Sequence, residues 1–190
     1  PIRLDACVER IRWGARGVTA EGAFGTVTAQ AAIVTVSTGV LAAGGIVFDP
    51  PLPAATEAAI HALPLGLLTK IAFRADHPHA PALPAFASLR RAVSGDRDRP
   101  MSWIARLFGD PLMIAFCGGA RAWEVAGDPA RAEAEARAEA TAIFGARAAA
   151  ALGRATVTRW AEDPLFRGAY SHTIPGAQSA RTTLAAPLAD

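Results

Sequence analysis

Residues 158–176, reading TRWAEDPLFRGAYSHTIPG, place two large aromatic side chains, Trp160 and Tyr170, on either side of a turn signal. Proline fixes φ, glycine permits positive φ and aspartate before proline favours a turn, so Asp163-Pro164 and Gly168 predict a reversal between the rings. Rings that frame such a turn can face one another across a cavity. They can equally pack in an ordinary core.

Lys70 is the second residue whose type could do chemistry. It is the only lysine among 19 basic residues, the rest being arginine, which points to coding bias and makes the exception worth a question. It lies in LPLGLLTKIAF (63–73), where Leu67 to Phe73 reads as an apolar strand. An ammonium in such a run is costly to bury without partners, and lysine shifts its pKa readily on desolvation. The alternative is that Lys70 snorkels from a half-exposed strand.

Both segments resemble one known family. RWxxDPxxRGAYSxxxPG, at Arg159, Trp160, Asp163, Pro164, Arg167, Gly168, Ala169, Tyr170, Ser171, Pro175 and Gly176, is similar to the late motif of FAD-dependent amine oxidases, nearest the polyamine oxidase and lysine-specific demethylase branch. PPLPxxxxxAIxxLPxGxxxK, from Pro50 through Ala59-Ile60, Leu63-Pro64 and Gly66 to Lys70, resembles an earlier motif of the same family. A weaker resemblance covers Pro1 to Trp13, with Val8 at the family position whose backbone meets the adenine of FAD.

The resemblance implies roles. The lysine matched by Lys70 holds a water against flavin N5. The tryptophan matched by Trp160 lies near the flavin ring, and the tyrosine matched by Tyr170 walls an aromatic cage for the substrate amine. Phe116 falls where family members line the substrate cavity, a core role being the alternative. Ala169 stands where animal monoamine oxidases carry the cysteine that links to flavin, so FAD is expected to be non-covalent. The implied partners are a small-molecule amine, O2 and the remaining FAD-binding segments of the same enzyme.

Those segments are not visible here. A dinucleotide fold needs a glycine-rich turn between strand and helix, and no GxGxxG occurs; the late "GEA" flavin segment is missing too. With a start at Pro1 in what reads as a strand, the chain is expected to be a fragment or processed subunit that holds FAD poorly alone.

Other classes fit less well. A net charge of +2 with scattered arginines offers no basic stripe for nucleic acid. The Arg90-Arg91 and Arg97/Arg99 groups, broken by Ser94, Asp96 and Asp98, read as a solvated loop. Cys7 and Cys117 lie far apart, and His77 and His79 flank Pro78 in an exposed loop, so no metal site is expected. The longest apolar runs, such as Leu112 to Cys117, are too short to span a bilayer. Without a signal peptide in view, a cytoplasmic location is expected.

The elements that must position these residues follow from periodicity. Val8–Trp13 and Thr26–Val36 read as strands, with a hairpin break at Gly22 and Gly25, a buried stretch at Ala31–Val36 and a tight turn at Ser37-Thr38-Gly39. A helix is predicted over Ala54–Leu63, then the Lys70 strand, then a long loop from Asp76 to Pro100 with a helical piece at Ala85–Val93. Trp103–Phe108 and Leu112–Cys117 are predicted strands joined at Gly109-Asp110-Pro111. Asp128 to Gly145 has an N-cap, proline at the first helical position and a glycine stop; its Glu133, Glu135, Arg137 and Glu139 read as a solvated face. Thr156–Trp160 is predicted as a strand that delivers Trp160.

The fold expected is mixed α+β or α/β, part of a two-domain flavin amine oxidase. Residues 1–55 are expected in the FAD domain, 56–160 in a mixed-sheet substrate domain and 161–190 back in the FAD domain. The function expected is flavin-dependent oxidative deamination of an amine. The alternatives are a non-catalytic scaffold, or a relative of the same fold such as a carotenoid desaturase or an amino-acid oxidase, for which Arg74 or Arg106 could meet a carboxylate.

Overall fold

A computed structural model describes residues 2–188; Pro1, Ala189 and Asp190, which the sequence reading counts in its first and last segments, lie outside the described residues. In chain order the first elements are β1 (Arg10–Gly14), β2 (Gly17–Gly22), β3 (Gly25–Ala29), α1 (Thr38–Ala42), β4 (Val47–Asp49), α2 (Ala54–His61) and β5 (Leu68–Arg74). They are followed by β6 (Ala87–Arg90), β7 (Ser102–Ala105), β8 (Leu112–Gly118), α3 (Gly119–Ala126), α4 (Pro129–Phe144), α5 (Ala146–Ala150), β9 (Ala155–Val157) and α6 (Ala180–Ala185). A 3-10 turn, Leu107–Gly109, separates β7 from β8. The mixture of helix and sheet is the fold class expected.

The chain forms two compact units, one of residues up to Leu65 and from Asp163 onward, the other Gly66–Glu162. Residues 56–65, read from sequence with the second segment, therefore lie in the first unit, where α2 packs on α6 through Ala59, Leu63 and Ala180. The first unit's sheet has the order β3-β2-β1-β4, antiparallel except for the parallel pair β1 and β4. Gly22 and Gly25 pair across the predicted hairpin, whose Gly25 has φ +99°.

The stretch 31–36 differs from expectation. It forms no strand and is exposed, Ile33 at 90%. β3 is an edge strand that ends at Ala29, so this apolar run has no ladder to join. Ser37 instead caps α1, its Oγ accepting from Val40 N at 3.2 Å.

The second unit is an antiparallel sheet, β6-β7-β8-β5-β9, backed on one face by helices. β5 and β8 share a strict period-two burial pattern, as a strand with two different faces must. One face carries Thr69, Ile71, Phe73, Trp103, Met113, Ala115 and Cys117 into the core. Ala122, Val125 and Ala126 of α3 and Ala132, Ala136 and Ala140 of α4 meet them. The alanine stripe lets the helices lie close, and Trp103 fills the remaining depth between Phe73 and Phe144, each ring centroid 6.0 Å away.

α4 starts as predicted, with Asp128 Oδ1 accepting from Arg131 N at 3.0 Å, and stops at Gly145 with φ +82°. Its charge run is not simply a solvated face. Glu139 is buried, and its carboxylate accepts from Met101 N at 3.2 Å and Arg121 Nη1 at 3.0 Å. The predicted helical piece at Ala85–Val93 is strand β6, because Ala87 and Leu89 alternate with exposed Ser88 and Arg90 and pair with β7. Thr156–Trp160 shortens to β9, leaving Trp160 in the turn beyond it.

Candidate functional site

The second face of the second unit's sheet is half-buried and holds Lys70. Register pairs β5 residue Lys70 with Phe116 of β8, Phe116 with Ser102 of β7, and Ser102 with Arg90 of β6. Residues directly opposite in antiparallel strands point to one face, with Cβ atoms about 5 Å apart. Four side chains therefore form one row across four strands. Leu68, Ala72 and Ile114 give this face its apolar remainder.

The Lys70 backbone is clamped by Thr158. Its amide donates to Thr158 Oγ1 at 2.9 Å, and its carbonyl accepts from Thr158 N at 2.9 Å. The Lys70 ammonium makes no hydrogen bond or ion pair among the described residues. A half-buried cation in that state is an invitation to a ligand or ordered water, since desolvation without a partner is unfavourable. Trp160, two residues beyond Thr158, packs half-buried against the edge of the second unit's core.

Tyr170 belongs to the first unit. The turn before it forms as its residues dictate, with Asp163 O accepting from Arg167 N at 2.9 Å, Asp163 Oδ1 accepting from Leu165 N at 2.9 Å, and Gly168 at φ +147°. Ser37 Oγ donates to Phe166 O at 2.6 Å, and His172 N donates to Pro64 O at 3.0 Å. Arg181 fixes Ser171 through its hydroxyl and carbonyl at 3.0 and 2.9 Å. The segment is thus held on both sides while Tyr170 stays 60% exposed. Its ring is not a core ring. Val8, also in the first unit, is half-buried just ahead of β1, where neighbouring Glu9 already exchanges backbone bonds with Glu21 and Val47.

Of the five residues singled out from sequence, Lys70 and Phe116 are direct neighbours, and Trp160 is tied to Lys70 through Thr158. Arg74 pairs with Asp76, and Arg106 sits in the turn after β7 with φ +50°. Among the described residues no three His, Cys, Asp or Glu side chains are placed to share a metal ion, and no helix is long and apolar enough to cross a membrane.

The sequence matches the family described as flavin containing amine oxidoreductase over residues 1–187. The chain belongs to this family. It is 30% identical over 184 residues to lysine-specific histone demethylase 1 homolog 2 of Oryza sativa subsp. japonica, covering 93% of this chain and 24% of the relative. Polyamine oxidase 4 of the same plant is 31% identical over 92% of this chain and 36% of its own. A putrescine oxidase variant from a redesign of cofactor binding shares the fold, with a TM-score of 0.67 at 18% identity over 93% of this chain and 39% of that one. The chain spans about a quarter to two fifths of these relatives.

Within this member of the family, sequence reasoning missed Thr158, Ser102 and Arg90. The only signal for Thr158 was its place on the strand leading to Trp160. Ser102 and Arg90 carry no local signal, since only cross-strand register aligns them with Lys70.

The loop 91–99 is more ordered than its composition suggests. Arg91 grips Asp98 with two bonds of 2.8 and 2.7 Å, and Ser94 adds two at 2.8 Å from N and Oγ. The Arg91 guanidinium, then the Ser94 donors, hold the Asp98 carboxyl well below the usual carboxylate range. Burial pushes the Cys117 thiol up.

Proposed function

We propose that the protein of which this chain forms a part oxidises a small-molecule amine with non-covalent FAD and passes the electrons to O2. The observation that carries this reading is Lys70, the chain's sole lysine, half-buried opposite Phe116 with no partner for its ammonium among the described residues. An ammonium in need of an acceptor, with aromatic side chains in the same chain, fits the reactive edge of a planar nitrogen heterocycle. On this reading the first unit is part of the flavin domain, the second is the substrate domain, and further segments of the protein hold most of the cofactor.

Bound FAD supplies the acceptor for hydride from the amine α-carbon and the donor of electrons to O2. With FAD bound, Lys70 would donate a hydrogen bond from Nζ to a water at that edge, in support of oxygen reduction or imine hydrolysis. Thr158 fixes the Lys70 backbone, so the side chain starts from one position. Trp160 of the second unit would hold the cofactor ring, and the Val8 backbone of the first unit would hold the adenine. Tyr170 presents its ring face to the amine, an attraction of about 0.5–2 kcal/mol, enough to orient the amine without selecting among amines. Phe116, the cross-strand partner of Lys70, would line the substrate cavity beside it.

The test is the absorption spectrum of the purified full-length protein. Flavin bands that bleach anaerobically on adding an amine, and return in air with release of peroxide, support the reading. A protein without flavin, or flavin bands that no amine bleaches, overturns it.

A further inference from the structure

The row Arg90, Ser102, Phe116 and Lys70 continues into a hollow of about 510 Å³ inside the second unit, lined by Leu68, Phe116, Ser102, Arg90, Arg99 and Asp98 among others. Because Phe116 is the cross-strand partner of Lys70, this hollow begins one strand away from the Lys70 side chain. Its charges are not balanced. Arg121, also in the lining, is neutralised by Glu135 and Glu139. Arg99 donates to the carbonyls of Asp96 and Asp98 and meets no carboxylate among the described residues. Arg90 donates through Nε and Nη2 to Ser102 Oγ at 3.2 and 2.7 Å, and has no ion pair among the described residues. Among the described residues the hollow's one carboxylate, Asp98, is already saturated by Arg91 and Ser94.

Two guanidiniums without counter-ions therefore border a concave space whose only carboxylate is taken. Such a space repels a second ammonium and attracts an anion, and guanidinium suits a carboxylate better than a point charge does. The Ser102 hydroxyl holds the Arg90 fork over β7. Adjacent strands lie about 4.8 Å apart, so Ser102 and Lys70 are separated by roughly 10 Å, close to the length of an extended eight-carbon chain.

We propose that this hollow is the distal end of the substrate site and selects amines whose far end carries a carboxylate, with Arg90 as the specificity-determining residue. This rests on the amine-oxidising role given to the Lys70 face. It departs from what the names of the polyamine and putrescine oxidases suggest, whose substrates carry a second cation. Phe116 packs the intervening methylenes.

The test compares three length-matched amines, ω-aminooctanoate, octylamine and diaminooctane, with the full-length flavin-loaded protein, and measures octanoate binding by calorimetry. The kcat/KM order expected is aminooctanoate, octylamine, diaminooctane, with the first and last at least about tenfold apart, as a charge-assisted hydrogen bond gives. The Arg90→Glu variant reverses that order and weakens octanoate binding by about tenfold or more, whereas Arg90→Lys keeps the order. Diaminooctane as the best substrate, or octanoate binding that Arg90→Glu leaves intact, overturns the proposal while amine oxidation stands. If no amine reduces the flavin but octanoate still binds through Arg90, the anion site stands and the amine-oxidase reading fails.

Discussion

Lys70 and Phe116 are register partners in β5 and β8, on the half-buried face of a sheet whose opposite face is the second unit's core. That relationship separates chemistry from stability. Ile71 and Ala115, the next pair along, are fully buried, while the Lys70 pair can be altered without touching the packed side.

The first prediction concerns Phe116. Phe116→Ala removes apolar surface from the open face and opens no core cavity. It should cost about 1.5 kcal/mol or less, below the value for a fully buried side chain. KM for an apolar amine should rise several-fold with less change in kcat. Denaturant unfolding with steady-state kinetics checks both.

Tyr170→Ala should weaken amine capture by about 0.5–2 kcal/mol, whereas Tyr170→Phe, which keeps the ring, should restore it. Because the ring is exposed, unfolding free energy should move by about 0.5 kcal/mol at most. A large loss of stability in Tyr170→Ala would return the ring to a packing role.

Glu139 is the buried charge that holds β7's start to α4. Arg121→Ala strips its closest cation but leaves Arg91 Nε at 4.0 Å and the Met101 amide in place. It should destabilise the fold by about 1–3 kcal/mol, the cost of a buried polar group losing one partner. Urea denaturation of Arg121→Ala, with Arg131→Ala as the exposed control, measures it. Equal, small effects would mean that Glu139 is solvated.

The Asp98 clamp has a sign that pH can read. Its folded pKa lies below the unfolded value, so its contribution is complete above the ordinary carboxylate range, about pH 4, and is lost as pH falls through the depressed folded value. Carboxyl carbon NMR should find Asp98 ionised at pH values where free aspartate is largely protonated. Arg91→Ala, which removes the first cause of the shift, should return the midpoint toward the ordinary range.

Much of this was legible in the sequence where one residue dictates local geometry. Asp128, Pro129 and Gly145 bounded α4, Gly22 and Gly25 marked the hairpin, and Asp163-Pro164 gave the turn before Tyr170. What stayed hidden depends on partners far along the chain. Nothing local says that Ala31–Val36 lacks a strand to pair with, or that 87–90 finds β7. Glu139 reads like its neighbours until Met101 and Arg121 are seen to close on it. Arg90 was read as one member of a solvated cluster, and only four strands in register carry it to the row of Lys70.

The most direct measurement is stopped-flow reaction of the reduced, full-length, flavin-loaded protein with O2, for the wild type and Lys70→Met. Methionine keeps the length and apolar stem of lysine and removes the ammonium. Reoxidation should slow by about two orders of magnitude, a loss of the size seen when a single positioned donor or acid–base group is removed, with the flavin still bound. Reoxidation at the wild-type rate in a folded, flavin-replete Lys70→Met protein would contradict the account.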